Sequence, residues 1–178
     1  MSTQHATSTK RTRLVNATAA GTSNIVSGVL LDMQGFDGAE FVCALGTLTA
    51  GQQTGIKVQG GQKSDGSDLA DLVGAATPLA ADADSNKLLV LDVFRTPFRY
   101  LKLTVLRGTA NAVIDGAFVT QYGAGAGSRK TPESDDATTV SATRVAVWPQ
   151  YTNTQLTNTT ITYPGSTTSI NTTYRNAS

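Results

Sequence analysis

Apolar side chains recur at every second position through much of the first two thirds of the chain. This is the period of a β-strand with one buried face. Four segments with this pattern are residues 25–33, 40–48, 55–59 and 112–122. In the second of them Phe41, Cys43 and Leu45 fall on the inward face. In the last, the alternation predicts that Ile114 and Phe118 lie on one side together with Tyr122.

Residues 87–95 and 98–107 are apolar on both faces. In the first segment one face carries Leu89, Leu91 and Val93, and the other carries Leu88, Val90 and Phe94. Pro97 between the segments would break a strand and permit a reversal, so we predict that the two strands form a hairpin. A strand that is apolar on both faces lies centrally in a sheet, or a partner covers its outer face.

The pattern changes between residues 64 and 76. Asp65 and Gly66 predict a turn, and Leu69, Leu72 and Val73 follow at helical spacing. We therefore predict one short helix or helical turn here, followed by an acidic loop at residues 80–86.

Together these elements predict an all-β chain with a single antiparallel β-sandwich, jelly-roll-like, and one short helix. Extended arms flank the sandwich at both ends. The expected divisions are an N-terminal arm at 1–20, the sandwich body at 21–123, a Gly/Ala-rich and charged linker at 124–137, and a Thr/Asn-rich, β-prone C-terminal arm at 138–178.

The C-terminal arm carries only two charged residues, Arg144 and Arg175. Its alternation predicts strands at 144–148 and 159–163, and Pro164–Gly165 predicts a turn into 166–174. A lone hairpin of this size is marginal in water, so we expect it to pair with the body or with a neighbouring subunit.

Charge and cysteine content limit the possible partners. Fourteen basic and thirteen acidic residues leave a net charge of +1, which predicts neither a nucleic-acid nor a membrane partner. The single cysteine excludes an internal disulfide. The polar residues 1–13 lack the apolar core of a signal peptide, so we expect synthesis in a host cytoplasm.

Catalytic and metal-binding sets are sparse. The single histidine, His5, lies in the N-terminal arm, and Cys43 lies on an inward strand face, where a structural thiol is expected. Residues 82–86 resemble the start of a calcium loop, but its sixth position is Lys87 instead of Gly and its twelfth is Val93 instead of Glu. We therefore predict a non-enzyme without a cofactor or a metal.

Three groups of side chains are candidates for partner binding. They are Lys10, Arg11 and Arg13 in the N-terminal arm, Arg95, Phe98, Arg99 and Tyr100 between two strands, and Trp148, Tyr151, Ile161 and Tyr163 in the C-terminal arm. The first group belongs either to a disordered terminus or to an arm that docks on an acidic neighbour. The second is typical of subunit contacts, although interleaved basic and aromatic residues can also bind single strands. The aromatic residues of the third can anchor the arm in a neighbour's groove or stack on a sugar.

Three motifs in order carry a resemblance to a known family. They are Phe-Asp-Gly-Ala-Glu-Phe at 36–41, Phe-Arg-Tyr at 98–100 and Gln-Tyr-Gly at 121–123. With the stretches around them, residues 25–123 resemble small virion proteins of tailed bacteriophages that are commonly encoded close to the major capsid protein. In those relatives a basic-Pro stretch follows Tyr-Gly almost directly, whereas here residues 124–128 intervene before 129–132.

The resemblance implies a β-sandwich that coats or cements the capsid surface as a symmetric homo-oligomer, with a trimer favoured, and binds the major capsid protein. A decoration (cement) protein is therefore the leading hypothesis. One alternative is a glycan- or receptor-binding module on the virion, with Trp148, Tyr151 and Tyr163 stacking on sugars. A head-completion or tail-tube subunit, which would form a ring, is the other.

Overall fold

The computed structural model describes residues 9–123 and the backbone of two strands at 155–163 and 166–175. The chain divides into two compact units, Met1–Ala142 and Thr143–Ser178. The first contains the body of the protein. In chain order its strands are β1 (Lys10–Val15), β2 (Thr18–Gly21), β3 (Ile25–Val26), β4 (Leu31–Asp32), β5 (Gly38–Leu48), β6 (Gly55–Gly61), β7 (Ala70–Ala76), β8 (Leu88–Phe94), β9 (Tyr100–Leu106) and β10 (Ala112–Tyr122).

These strands form two antiparallel sheets. In sheet 1 the order is β1–β10–β5–β8, and β2 also pairs with β10. In sheet 2 the order is β3–β9–β6–β7, and β4 also pairs with β9. Each sheet has one strongly apolar face, and the two faces bury each other, which confirms the predicted all-β sandwich.

The strand order is that of a jelly roll. β1 and β2 lie along the same side of β10, so they act as one interrupted strand, and β3 and β4 do the same along β9. Counted in this way, each sheet has four strands, and every connection except β6–β7 crosses from one sheet to the other. This order confirms the jelly-roll-like topology.

The core lies between the sheets. Its largest fully buried apolar side chains are Phe41, Leu45, Ile56, Val58, Leu101, Leu103, Val105, Ile114 and Val119. Except for Val119 on β10, they alternate along their strands as the sequence pattern predicted, and each contributes about 1.5–3 kcal/mol through removal from water. Cys43 is buried among them.

The helix predicted at residues 64–76 is wrong. The segment contains β7, which pairs with β6, and the short helical turn of the body is a 3-10 turn at Asp82–Asp84. The Asp68 carboxylate accepts hydrogen bonds from the backbone N–H groups of Gln62 and Lys63, and this closes a turn that returns the chain along β6. Pairing with a neighbouring strand has therefore overridden the local helical spacing.

The predicted hairpin of residues 87–95 and 98–107 is also wrong. Both segments are strands, but β8 belongs to sheet 1 and β9 to sheet 2. Pro97 lies where the chain crosses between the sheets. A reversal signal cannot tell a hairpin from a crossing, because both need only a break in the ladder.

One predicted strand face is wrong in β10. Ile114 is fully buried, whereas Phe118 is exposed on the opposite face. The register with β5 shifts between Ile114 and Gly116, and Gly116 has φ +152°. This bulge inserts one residue and reverses the alternation beyond it.

The expected N-terminal arm is wrong for most of its length. Residues 10–21 form β1 and β2 of sheet 1, and residues 1–8 lie outside the described part. The single strand predicted at 25–33 is divided into β3 and β4. Between them the buried Ser27 hydroxyl bonds to the backbone of Val29, which bends the chain away from β9.

Arg107 ties the end of β9 to three other segments. Its guanidinium donates hydrogen bonds to the carbonyl oxygens of Ala19, Ser23 and Ala112 at 3.0, 2.7 and 3.1 Å. The side chain is buried, and Gly21 leaves room for it, since a Cβ there would lie 3.2 Å from the guanidinium nitrogens. Arg107 therefore fastens the first crossing between the two sheets.

The second unit contains an antiparallel hairpin of β11 (Gln155–Tyr163) and β12 (Ser166–Arg175). The strands predicted at 159–163 and 166–174 lie within β11 and β12. The strand predicted at 144–148 lies outside the described residues, and so does the turn at 164–165. Whether this hairpin pairs with the body or with a neighbouring subunit stays a prediction.

Candidate interaction surface

Apolar side chains cover part of the outer face of sheet 1, the face turned away from the core. Phe118 on β10 pairs with Val42 on β5, which pairs with Val90 on β8. Leu88 extends this row along β8. The exposed fractions of Leu88, Val90 and Phe118 are 59%, 49% and 44%. We call Val42, Leu88, Val90 and Phe118 the apolar patch.

Two aromatic rings continue the apolar surface at the far end of β8. Phe94, which is 56% exposed, stacks on Tyr122 with ring centroids 6.4 Å apart. The Tyr122 ring lies over Gly38, where a Cβ would be only 2.3 Å from it. The Tyr122 hydroxyl donates a hydrogen bond to Asp92 at 2.6 Å. Burial and this acceptor raise the pKa of Tyr122, so the hydroxyl keeps its proton and the rings stay in place.

A charged row separates the patch from the stacked rings. Glu40 on β5 lies opposite Asp92 on β8 and Thr120 on β10. Patch and rings together expose roughly 400 Å² of apolar surface, which the charged row divides into two smaller areas. The outer face of sheet 1 is therefore apolar at two places with a narrow acidic band between them.

β8 also has a free edge. Among the residues that the structure describes, it pairs only with β5, in an unbroken register from Gly38–Phe94 to Ala44–Leu88. The Arg95 N–H donates to Asp37 O, and the Leu45 N–H donates to Lys87 O. The backbone N–H and C=O groups of the odd-numbered residues of β8 therefore face β5. Since these groups alternate along an antiparallel strand, the other set points away from the sheet. That set belongs to Leu88, Val90, Asp92 and Phe94.

The predicted group between β8 and β9 lies at the crossing and is only partly brought together. Phe98 and Arg99 line an open cleft of about 320 Å³ with Met33, Gln34, Phe36, Gln62, Thr96 and Pro97. Arg99 pairs with Asp32 at 3.3 Å and donates to Gln34 Oε1 at 2.8 Å. These contacts fix the guanidinium in the wall of the cleft.

The other two members of that group lie outside the cleft lining. Arg95 adopts φ +51° and places its guanidinium 5.1 Å from the Phe94 ring centroid. Tyr100 begins β9, and the Arg99 guanidinium lies 5.2 Å from its ring centroid. Arg95 therefore lies beside Phe94 of the stacked aromatic pair and not in the cleft.

The basic group lies in β1 and not in a free arm. Lys10, Arg11 and Arg13 pair with Gln121, Thr120 and Phe118 of β10. By this register Arg13 flanks the apolar patch on the side opposite β8.

The C-terminal candidates are only partly within the described chain. Trp148 and Tyr151 lie outside the described residues. Ile161 and Tyr163 are part of β11, of which the structure describes the backbone. Their proposed contacts stay predictions.

Three other carboxylates stabilise loops through hydrogen bonds or an ion pair. Asp82 accepts a hydrogen bond from the Gly51 N–H, Asp84 pairs with Lys87 at 2.7 Å, and Asp65 accepts a hydrogen bond from the Ser67 N–H.

No cluster of three potential metal-ligating side chains occurs within the described residues 9–123. Burial, with a smaller contribution from Asp115, raises the pKa of the Cys43 thiol to about 12. A thiol that stays protonated at neutral pH is a poor nucleophile.

In the described part of the chain no helix has the length and apolar character that a membrane crossing requires. Comparison with models of known protein families gives no match. Comparison with curated protein sequences gives none either.

The sequence alone indicated an apolar outer face on residues 87–95 but not its extent. Phe118 was expected on the same side as Ile114, and the contribution of Val42 was not foreseen. A glycine within the alternation of β10 was the signal for the bulge that moves Phe118. The free edge of β8 carried no local signal, because it depends on which sheet the strand joins.

Proposed function

We propose that the chain is a bacteriophage capsid decoration, or cement, protein that binds the outer surface of the mature shell and stabilises contacts between capsomers. The observation that carries this proposal is the apolar patch on the outer face of sheet 1. A flat sheet face is rigid, so covering it costs little conformational entropy. The proposal assigns no catalytic step to the chain.

The patch suits a protein partner. Its aliphatic and aromatic side chains would be removed from water on contact, and the acidic row beside it would fix the orientation of the partner. A single patch of this size binds weakly. Many copies on a regular shell would add their contacts as avidity, particularly if the protein binds as the homo-oligomer that the sequence resemblance implies.

The partner is named by the resemblance of residues 25–123 to phage virion proteins, which points to the major capsid protein. Quantitative mass spectrometry of purified particles tests this directly. We expect many copies per particle, in a simple ratio to the major capsid protein. A handful of copies per particle would refute a decoration role and favour a head-completion or tail position.

A variant pair tests the surface. Phe118→Ser removes the exposed ring on the β10 side of the patch, and Val73→Ser makes a similar change at a fully exposed position on sheet 2. In co-sedimentation with particles that lack the protein, we expect Phe118→Ser to weaken binding by about thirtyfold, the value of one buried aromatic side chain. Val73→Ser should bind like the parent chain. Equal binding of all three proteins would contradict the use of this face.

The cleft at the β8–β9 crossing favours a second candidate, a glycan-binding module on the virion surface. Its volume is at the lower end of small-ligand sites, and it combines the Phe36 and Phe98 rings with the polar Gln34 and Arg99. A glycan array with the isolated protein, the Phe98→Ala variant and the Trp148→Ala variant tests this. Saccharide binding that is lost in the first variant would assign the cleft, and loss in the second would assign the C-terminal arm.

A further inference from the structure

Of the four edges of sheets 1 and 2, as far as the structure describes them, β8 alone lacks the features that prevent strand pairing. β3 and β4 are two-residue strands, and β1 and β2 are interrupted, with register shifts along β10. β7 has a register shift against β6 and a glycine at φ +82°. β8 has seven residues in unbroken register with β5, no proline, no lysine and one charged side chain. Long, flat and apolar edges of this kind pair readily with another strand.

We infer that β8 pairs with β8 of a second copy of this chain, antiparallel, with a two-fold axis at Leu91. The pairing would join sheet 1 of both copies into one continuous sheet. It is a property of the free chain, so it goes beyond the proposed function and can hold or fail independently of it.

The backbone selects this register. The groups that point away from the sheet belong to Leu88, Val90, Asp92 and Phe94, which are centred on Leu91. Only when Leu88 lies opposite Phe94 of the second copy, and Val90 opposite Asp92, do all of these groups find partners, in about eight hydrogen bonds. A shift of the axis by one residue in either direction leaves some of them unpaired. The shift toward Phe94 would also place the two copies of Asp92 opposite each other.

The side chains fit the same register. Leu88 meets the Phe94 ring of the second copy, so two exposed apolar side chains cover each other at both ends. Asp92 is opposite Val90, and its carboxylate is held over the sheet by the Tyr122 hydroxyl. At each end of the pair Lys87 lies opposite Arg95 of the second copy. The Lys87 ammonium is already paired with Asp84 at 2.7 Å, which offsets this like-charge contact.

The inward face of β8 gives a second reason for a partner strand. Leu89 and Leu91 face the core but are only partly buried, because sheet 1 ends at β8. In the pair, the two copies of Leu91 lie opposite each other at a non-hydrogen-bonded position, where side chains are closest. The open edges of both cores would thus close against one another.

The area predicts a reversible dimer. The exposed parts of β8 amount to roughly 500 Å² per copy, and pairing covers only the edge of the strand, so a pair buries less than about 1,000 Å², below the usual range of stable interfaces. We expect the dimer to form as concentration rises from about 1 μM to about 1 mM, and to dissociate on dilution. The trimer implied by the sequence resemblance would need another surface, and the two-fold contact would then link neighbouring oligomers.

Sedimentation velocity of the full chain, over that concentration range and without particles, tests the pairing. Val90→Asp places like charges opposite Asp92 at two symmetric positions, and we expect it to raise the dissociation constant about tenfold or more. Val90→Lys places opposite charges there and should leave the dimer as tight as the parent or tighter. Val73→Asp, the control on the other edge strand β7, should have no effect.

Oxidative cross-linking fixes the register. Leu91→Cys should form a disulfide-linked dimer, because the two thiols meet across the axis within disulfide reach. Leu89→Cys should not, since position 89 lies opposite Val93 of the second copy. Both variants carry Cys43→Ala, because Cys43 lies opposite position 89 within the same chain and could form an intramolecular disulfide with it. Cys43→Ala alone is the control without a thiol.

Four results would overturn the inference. One is a parent chain that stays monomeric up to about 1 mM. The second is an oligomer whose stability is the same in Val90→Asp as in the parent. The third is a disulfide that forms equally well at positions 89 and 91. The fourth is an equal loss of association in Val90→Lys and Val90→Asp, which would indicate another register.

Discussion

Replacement of Arg107 by alanine should destabilise the body far more than replacement of any exposed arginine. The Arg107 side chain donates three hydrogen bonds to backbone carbonyls, at 2.7 to 3.1 Å, in a buried position. Each such bond from a charged donor contributes about 1–1.5 kcal/mol net after the cost of desolvating the guanidinium. We therefore expect Arg107→Ala to lower the free energy of unfolding by about 3–4 kcal/mol.

This loss is a large share of the stability of a domain of this size, which is about 5–15 kcal/mol in total. Arg107→Lys should recover part of it, because one ammonium cannot reach three separate carbonyls. Urea denaturation followed by far-UV circular dichroism measures both variants. The melting temperature of Arg107→Ala should fall by about 10 °C or more.

Arg99→Ala is the matched control. Arg99 is exposed and pairs with Asp32 at 3.3 Å, a surface contact for which about 0.2–1 kcal/mol is expected. If Arg107→Ala lowers the free energy of unfolding no more than Arg99→Ala does, the carbonyls of the first crossing do not depend on the guanidinium. The structural role assigned to Arg107 would then be wrong.

Three further predictions concern packing and titration. Gly38→Ala should lower the free energy of unfolding by about 1–3 kcal/mol, because its Cβ would collide with the Tyr122 ring. Gly28→Ala is the control and should be tolerated, since nothing lies within 4 Å of a Cβ there. Thermal melts compare the two variants. The pKa of the Cys43 thiol is raised from 9.0 to about 12, so its contribution to stability is complete below pH 9.0 and declines as the pH rises toward 12. Denaturation at stepped alkaline pH should show a shallower decline in Cys43→Ala than in the parent. Hydrogen bonds from Lys57, and then from Gln59, hold the pKa of Asp71 below 3.8. The stability that this carboxylate contributes is present above pH 3.8 and is lost on acidification, so Asp71→Asn should make acid unfolding less steep. Equal slopes in variant and parent would contradict either titration argument.

The pattern of apolar positions was sufficient to identify most strands. Strand β10 begins and ends where the alternation predicted, and β5, β6, β8 and β9 lie within two residues of the predicted bounds. Phe41 and Leu103 are buried as their positions required. This success is local in origin, because a strand with one buried face must alternate.

The errors come from interactions between distant segments. Residues 70–76 have helical spacing but form β7 because β6 offers a partner. Pro97 marks a break in the chain, and only the core decides that this break crosses between sheets. Phe118 faces outward because a bulge at Gly116 reverses the alternation.

The candidate surface was likewise predictable where it depends on local alternation and unpredictable where it depends on distant segments. The sequence by itself determined that β8 is apolar on both faces, and from this it followed that a partner covers its outer face or that it lies centrally. The tertiary structure decided that β8 is an edge strand, that Val42 and Phe118 extend its exposed face, and that Gly38 admits the Tyr122 ring beside Phe94. Side-chain alternation is written into each strand, whereas the neighbours of a strand are chosen by the burial of all strands together.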